Sequence, residues 1–205
     1  IVTAIKAEIK ELEKDFPPGM KMTYVLDVTD FLYASIWHVI QTLLEAFLLV
    51  FIVVYIFLQD FRSTLIPAIA VPVSLVGTFF FLQIFGFSLN LLTLSALVLA
   101  IAIVVDDAIV VVEAVHAKLD EGYDSARTAS MDAMHEISGA IISITLVMAA
   151  VFVPVSFISG ISGTFYREFG VTMAVSIVIS AVNALTLSPT LCALLLKPHK
   201  GHEGK

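Results

Sequence analysis

The sequence predicts an all-α membrane protein, in which five transmembrane helices follow a short α/β segment. Hydrophobic residues make up 59% of the 205 residues and charged residues only 14%. The mean hydropathy is +1.00, which is typical of a membrane protein. After residue 35 the chain contains five apolar stretches, each long enough to cross a bilayer as a helix. These observations set the fold class before any motif is considered.

Residues 1–30 precede the apolar region and predict a helix followed by a strand. Apolar residues recur at helical spacing as far as Phe16, and a Pro-Pro-Gly sequence then ends the pattern. The segment from Lys21 to Leu26 has the composition of a strand. One helix and one strand cannot bury a core alone, so we expect residues 1–30 to end a larger α/β domain that lies upstream.

The transmembrane domain is predicted to cover residues 31–197. Its five helices are expected at residues 36–58, 63–85, 89–112, 137–157 and 171–196. A polar segment from Glu113 to Glu136 precedes the fourth helix, and a Gly/Ser-rich loop from Ser159 to Gly170 precedes the fifth. Residues 198–205 are expected to begin a linker beyond the membrane.

The distribution of basic residues predicts the orientation. If the N-terminal end lies outside, the short outer loops hold only Arg167. The inner side then holds Arg62, Lys118, Arg127, Lys197, Lys200 and Lys205. Because basic residues concentrate on the cytoplasmic side of membrane proteins, the N-terminal end is predicted to be periplasmic or extracellular and the C-terminal end cytoplasmic.

Composition and motifs argue against several function classes. The formal net charge is −7 and there is no block of basic residues, which argues against nucleic acid. Cys192 is the only cysteine, so no intrachain disulfide forms. The histidines show no metal-ligand spacing, and no metal site is predicted. No nucleotide-binding motif occurs, so any transport is expected to be driven by ions rather than by ATP.

Asp106 and Asp107 are adjacent inside the third apolar stretch and are the main candidates for a functional site. Insertion scales assign about 2.5–3.5 kcal/mol to one aspartate at a helix centre, and intramembrane carboxylates usually serve function. No Lys, Arg or His lies deep within the five stretches. The counter-charge must therefore come from water, a bound cation or helices outside this chain. The pair predicts a proton or cation site; the alternative is a structural pair that faces a polar crevice.

Two carboxylates this close are expected to titrate as a unit. Successive residues of a helix are about 100° apart, so Glu113 and Ser95 lie on the same helix face as Asp106. Glu113 either extends a water-accessible proton path or marks the membrane interface. Thr93, nearer the outer end, could order water, although hydrogen bonding within the helix is the commoner use of such hydroxyls.

Three runs of sequence resemble the membrane domain of resistance-nodulation-division (RND) efflux pumps. They are FLQDFRSTLIPAIAVPVSLVGTF, GFSLNLLTLSALVLAIAIVVDDAIVVVEAV, and the run from AVFVPVSF to ALLLKP. The similarity is greatest to the hydrophobe/amphiphile multidrug branch, typified by the acriflavine-resistance pump. The resemblance implies that the five helices are the second to sixth of twelve, in an RND-type bundle. Residues 1–30 would then end a periplasmic porter subdomain, and residues 198–205 would begin a cytoplasmic linker to the second half.

The same resemblance implies a function. Asp106 and Asp107 match the proton-relay aspartates of such pumps, which face a lysine of the second half, with an arginine and a threonine of that half nearby. It implies a secondary active transporter rather than an enzyme, a proton/drug antiporter that uses the proton motive force without a cofactor. Expected substrates are amphipathic drugs, dyes, detergents and bile salts. The full-length protein would be a homotrimer in the Gram-negative inner membrane, with a periplasmic adaptor protein and an outer-membrane channel as partners.

Three alternatives remain at this point. A heavy-metal RND relative shares the architecture, but that branch usually has a single aspartate followed by alanine, and the methionines here form no intramembrane ladder. A protein-secretion RND relative would use a similar proton site. An intramembrane aspartyl protease would need two aspartates that converge from separate helices, whereas Asp106 and Asp107 are neighbours on one helix.

Overall fold

The structure is a computed structural model that describes residues 2–17, 19–20, 29–87, 90–160 and 162–197, and each regular element in these ranges is a helix. A short helix, α1, spans Val2–Leu12 and is followed by a 3-10 turn at Glu13–Asp15. The long helices are α2 (Thr29–Leu58), α3 (Phe61–Ile84), α4 (Leu91–Asp120), α5 (Ala126–Val155) and α6 (Gly163–Leu195). All five are long and apolar enough to cross a membrane, which confirms the predicted fold class.

The chain divides into two compact units, Ile1–Gln41 and Thr42–Lys205. The first unit contains α1, the 3-10 turn and the start of α2. On α1, the apolar side chains of Ile5 and Leu12 are about half exposed. The predicted strand from Lys21 to Leu26 lies outside the described residues, so the α/β character of residues 1–30 stays a prediction.

Several helices continue beyond the predicted membrane spans. The structure extends α4 to Asp120, begins α5 at Ala126 and begins α6 at Gly163, so the predicted polar segment is mostly helical. Hydropathy marks only the apolar middle of a helix, whereas its polar ends depend on capping and side-chain pairs. Here the Ser125 side chain accepts a hydrogen bond from the backbone N–H of Arg127 and starts α5.

Three helices of the second unit form its core. Half of the residues in the apolar segments of α4 and α6 are buried, and 39% of those in the apolar segment of α3. In the apolar segments of α5 and α2 the buried share is only 6% and 11%. The α5 helix packs on α4 and α6. On α2, Val54 packs against Val71 of α3 and Ile101 of α4. The α2 and α5 helices therefore flank a core of α3, α4 and α6.

Contacts between the core helices show the relative directions in which these helices run. Near the start of α4, Ala96 and Ala100 pack on Met173 of α6, and further along both helices Val115 lies in one cluster with Cys192. The α4 and α6 helices are therefore parallel to each other, and α3 is antiparallel to both. We call the end at which α3 begins and α4 and α6 finish the Arg62 end, and the opposite end the Asn90 end.

Local sequence explains where α3 and α4 begin and why α3 packs closely on α6. The Asp60 side chain caps α3 by accepting a hydrogen bond from the backbone N–H of Ser63, at 3.0 Å. Asn90 and Thr93 form a capping box at the start of α4. In the middle of α3, a Cβ atom added at Gly77 would lie 3.2 Å from Ile179 of α6. The absence of a side chain at Gly77 thus allows α3 and α6 to approach closely.

Candidate functional site

The aspartate pair lies in the middle of α4, where that helix packs on α6. Neighbouring positions Val104, Val105 and Ala108 are buried. Asp107 is partly buried, whereas Asp106 is exposed. The two carboxylates therefore have different surroundings, although they are adjacent in sequence.

Ser180 of α6 holds the carboxylate of Asp107. Its hydroxyl donates a hydrogen bond to Asp107 Oδ2 at 2.5 Å, and the Ser180 side chain is buried. A hydrogen bond to an ionised group is stronger than one between neutral groups. Sequence reasoning did not single out Ser180. The sequence does contain a signal that could have identified it, because hydroxyl residues on α6 are separated by four or eight positions, so that successive ones lie on nearby faces of the helix: Thr172, Ser176, Ser180 and Ser188.

Polar side chains continue from this contact between α3 and α6. The side-chain amide of Asn183 donates to Ser74 Oγ at 2.7 Å, and both residues are buried. The Ser176 hydroxyl donates to the carbonyl of Thr172 on its own helix. The core of α3, α4 and α6 therefore contains a row of hydrogen-bonded polar groups beside Asp107, and polar groups buried in this way are normally satisfied.

The carboxylate of Asp106 has no hydrogen bond or ion pair with any residue that the structure describes, and no cationic side chain in those ranges pairs with Asp107. The same ranges contain no group of three or more His, Cys, Asp or Glu that could hold a metal ion. Carboxylates in an apolar environment require a proton, a cation or water as a counterpart. Either carboxylate can therefore accept a proton, pair with a cation or bind water.

The three accessory candidates lie apart from the pair. The Ser95 hydroxyl donates to the carbonyl of Leu91 at 2.7 Å, and the Thr93 hydroxyl belongs to the capping box of α4. Both hydroxyls are thus used within their own helix. Glu113 is exposed and lies about 10 Å along α4 from Asp106, at a rise of about 1.5 Å per residue. A role for these three residues in a proton path stays a prediction.

A second polar cluster, which the sequence analysis missed, lies at the Arg62 end. Ser63 Oγ is 2.6 Å from Asp60 Oδ2 and 2.6 Å from His116 Nε2, and the Ser63 side chain is fully buried. Burial by itself raises the pKa of Asp60. Three hydrogen bonds oppose this effect and hold the pKa below its usual value; they come from the Ser63 hydroxyl and from the backbone N–H groups of Ser63 and Arg62. The charge of His116 acts in the same direction. No sequence signal joins His116 to residues more than fifty positions earlier.

The whole chain is similar to a known family of proteins. A family model described as the AcrB/AcrD/AcrF family matches residues 1–205. The chain is 48% identical over 204 residues to the multidrug export protein AcrF of Escherichia coli (strain K12), and 45% identical over 202 residues to the multidrug resistance protein MdtF of the same strain. It is 46% identical over 200 residues to the toluene efflux pump membrane transporter TtgB of Pseudomonas putida.

Each of these three alignments covers 98% of this chain but only 19% or 20% of the relative. The chain therefore spans about one fifth of the length of the curated relatives it matches.

Proposed function

This chain belongs to the AcrB/AcrD/AcrF family of RND multidrug efflux transporters, and from that membership we propose that it supplies the proton-relay half of a proton/drug antiporter. In this proposal Asp106 and Asp107 bind and release the protons that drive export. The supporting observation is the carboxylate pair at the middle of an apolar helix, of which Asp107 accepts a hydrogen bond from Ser180 and Asp106 has no partner among the described residues. The protein is a transporter, not an enzyme.

Proton binding would act by changing the charge of the pair. When Asp107 is ionised, the Ser180 hydroxyl stabilises its charge and links α4 to α6. Protonation weakens that attraction and any attraction to cationic groups outside this chain. The α4 and α6 helices then favour a different relative position, which is how a local charge change becomes a movement of packed helices. Inward movement of one proton supplies about 2.3 kcal/mol per 100 mV of membrane potential.

The location of the site follows from the distribution of charge. The Arg62 end carries Arg62, Lys118, Arg127 and Lys197, so we place it on the cytoplasmic side of the bacterial inner membrane. The Asn90 end then faces the periplasm. A proton that enters from the periplasm and leaves at the Arg62 end moves down the proton motive force, and no cofactor is needed.

The substrate class and partners are proposed from the relatives. AcrF, MdtF and TtgB are named for the export of multiple drugs, for multidrug resistance or for the efflux of toluene. Amphipathic drugs, dyes, detergents and bile salts are therefore the proposed cargo of the full-length protein. We also propose that it works as a homotrimer with a periplasmic adaptor protein and an outer-membrane channel.

Replacing each aspartate by its neutral isostere tests the relay. We expect full-length protein with Asp106→Asn or Asp107→Asn, produced in a pump-deficient Gram-negative host, to lose drug resistance and drug-dependent proton flux, because asparagine cannot carry a proton. The matched control is Asp124→Asn, at an exposed position between α4 and α5, which should retain both. Equal membrane levels of the variants are checked by immunoblot. Full resistance in both relay variants would refute the assignment.

A further inference from the structure

The cluster at the Arg62 end is a continuous hydrogen-bonded chain of a carboxylate, a hydroxyl and an imidazole. Asp60 and Ser63 belong to the start of α3, and His116 belongs to α4, nine residues beyond Asp107. At about 1.5 Å per residue, His116 lies about 13.5 Å along α4 from Asp107. One member of the cluster, His116, thus lies on the same helix as the aspartate pair, displaced toward the proposed cytoplasmic side.

The direction of the hydrogen bonds follows from the chemistry of the three groups. The hydroxyl of Ser63 has a single hydrogen, so it donates to one neighbour and accepts from the other. An ionised carboxylate only accepts, and the lowered pKa of Asp60 favours its ionised form. The Ser63 hydroxyl therefore donates to Asp60 Oδ2, and His116 Nε2–H donates to Ser63 Oγ.

The cluster opens to solvent through a pocket of about 570 Å³. The charged and titratable groups that surround His116 there are Asp60 and Arg62 from the start of α3, Asp120 from the next turn of α4, and Lys197 from the segment after α6. The guanidinium of Arg62 also donates a hydrogen bond to the carbonyl of Leu195, at 3.3 Å, which ties α3 to the end of α6. Polar groups thus surround the mouth of the pocket, and water has access to the cluster.

One buried group lies between the two sites. Ser188 Oγ is the only buried side-chain oxygen or nitrogen in the described residues that lacks a hydrogen-bond partner. Because α4 and α6 are parallel and Ser180 bonds Asp107, Ser188 lies at about the level of Val115, next to His116 in sequence. The buried apolar residues Ile66, Val111, Val112 and Ala184 belong to one cluster with Val115 in this part of the core. A buried hydroxyl without a protein partner is normally satisfied by water, which can also carry a proton.

We propose that the Asp60–Ser63–His116 chain is the proton exit of the transporter, with His116 as the acceptor of protons released from the aspartate pair. This inference rests on the proposed proton-driven function. A proton reaches His116 Nδ1 through water near Ser188. The imidazolium then transfers its Nε2 proton to Ser63 Oγ while the Ser63 hydroxyl transfers its own to Asp60 Oδ2. Asp60 releases that proton to water in the pocket. Rotation of the Ser63 hydroxyl and return of the His116 hydrogen from Nδ1 to Nε2, by proton exchange with water, then restore the starting arrangement.

The residue types suit these roles. The imidazole of His116 has two distinct ring nitrogens, so it can take a proton at one and release a proton from the other. A carboxyl group whose pKa lies below its usual value, as at Asp60, gives up its proton readily to water. Asp60 therefore holds the proton only briefly before water in the pocket takes it.

Proton flux measured in proteoliposomes tests the exit. The full-length protein is compared with His116→Gln and Ser63→Ala, and with His135→Gln as the matched control, because His135 is an exposed histidine of α5 at the same end. We expect the maximal drug-driven proton flux to fall about 100-fold or more in His116→Gln and Ser63→Ala, because a positioned proton-transfer group contributes at least that factor. The substrate concentration at half-maximal flux should not change, and the control should resemble the unmodified protein.

A second variant separates proton transfer from a structural role. His116→Ala opens a space next to the pocket, and added imidazole should restore flux in a concentration-dependent way. Imidazole should not restore flux to Asp107→Asn.

Normal flux in His116→Gln, together with inactive Asp106→Asn and Asp107→Asn, would overturn the proposed exit but leave the proposed relay intact. Slow flux that imidazole does not restore would also overturn it, since His116 would then act only by packing. Active aspartate variants would instead refute the proposed function itself.

Discussion

At the scale of single residues, Asp106 and Asp107 show how one helix gives identical side chains different surroundings. Successive residues point about 100° apart, so Asp107 faces α6 while Asp106 lies on an exposed face of the described structure. Ser180 reaches only Asp107. In the proposed relay, Asp107 therefore couples charge to the position of α6, and Asp106 is available to groups outside this chain.

Removal of the Ser180 hydroxyl tests this coupling. Hydrogen bonds to charged groups contribute about 1.5–3 kcal/mol, so we expect Ser180→Ala to lower drug-driven proton flux by about tenfold. The matched control is Ser176→Ala, one turn earlier on α6, where the hydroxyl bonds only the carbonyl of Thr172. Flux is measured in proteoliposomes at equal protein content. Equal flux in the two variants would show that the bond to Asp107 has no part in coupling.

At the scale of the helices, close contacts at glycine decide how α5 and α6 pack. Near the Asn90 end, a Cβ atom added at Gly170 would lie 2.8 Å from Ser156 Oγ and 3.0 Å from the carbonyl oxygen of Phe152. The second of these atoms is backbone and cannot move without shifting α5. The contact therefore sets the separation of the two helices near the Asn90 end.

Gly170→Ala should consequently destabilise the protein. Overpacking typically costs about 1–3 kcal/mol, and we expect a lower midpoint of thermal unfolding in detergent. The matched control is Gly139→Ala on α5, where an added Cβ atom meets nothing within 4 Å. Since alanine favours a helix over glycine by roughly 0.5–1 kcal/mol, the control midpoint should stay equal or rise. A midpoint for Gly170→Ala as high as that of the control would contradict the packing described here.

At the scale of the whole molecule, the proposed mechanism requires a fixed orientation in the membrane. The loop before α5 must face the cytoplasm and the loop before α6 the periplasm. Both loops contain exposed positions, Asp124 and Ser159. The distribution of basic residues supports this orientation, and these two positions allow a direct test of it.

Cysteine labelling tests this orientation. In full-length protein whose other cysteines, apart from the buried Cys192, have been replaced, Ser159→Cys should react with a membrane-impermeant maleimide in intact spheroplasts. Asp124→Cys should react only after lysis. The parent with Cys192 alone should stay unlabelled in both conditions and serves as the control. The reverse labelling pattern would invert the orientation and, with it, the direction of the proposed proton path.

The sequence by itself determined the fold class, the five membrane helices and the aspartate pair, because hydropathy and a charge within an apolar run are local properties of the chain. The structure continues α4, α5 and α6 beyond the predicted apolar spans, where capping rather than hydropathy sets the helix boundary. Only the tertiary structure decided that Ser180 holds Asp107 and that Ser63 joins Asp60 to His116. These contacts join residues far apart in sequence, and their geometry depends on how three helices pack, which no single segment encodes.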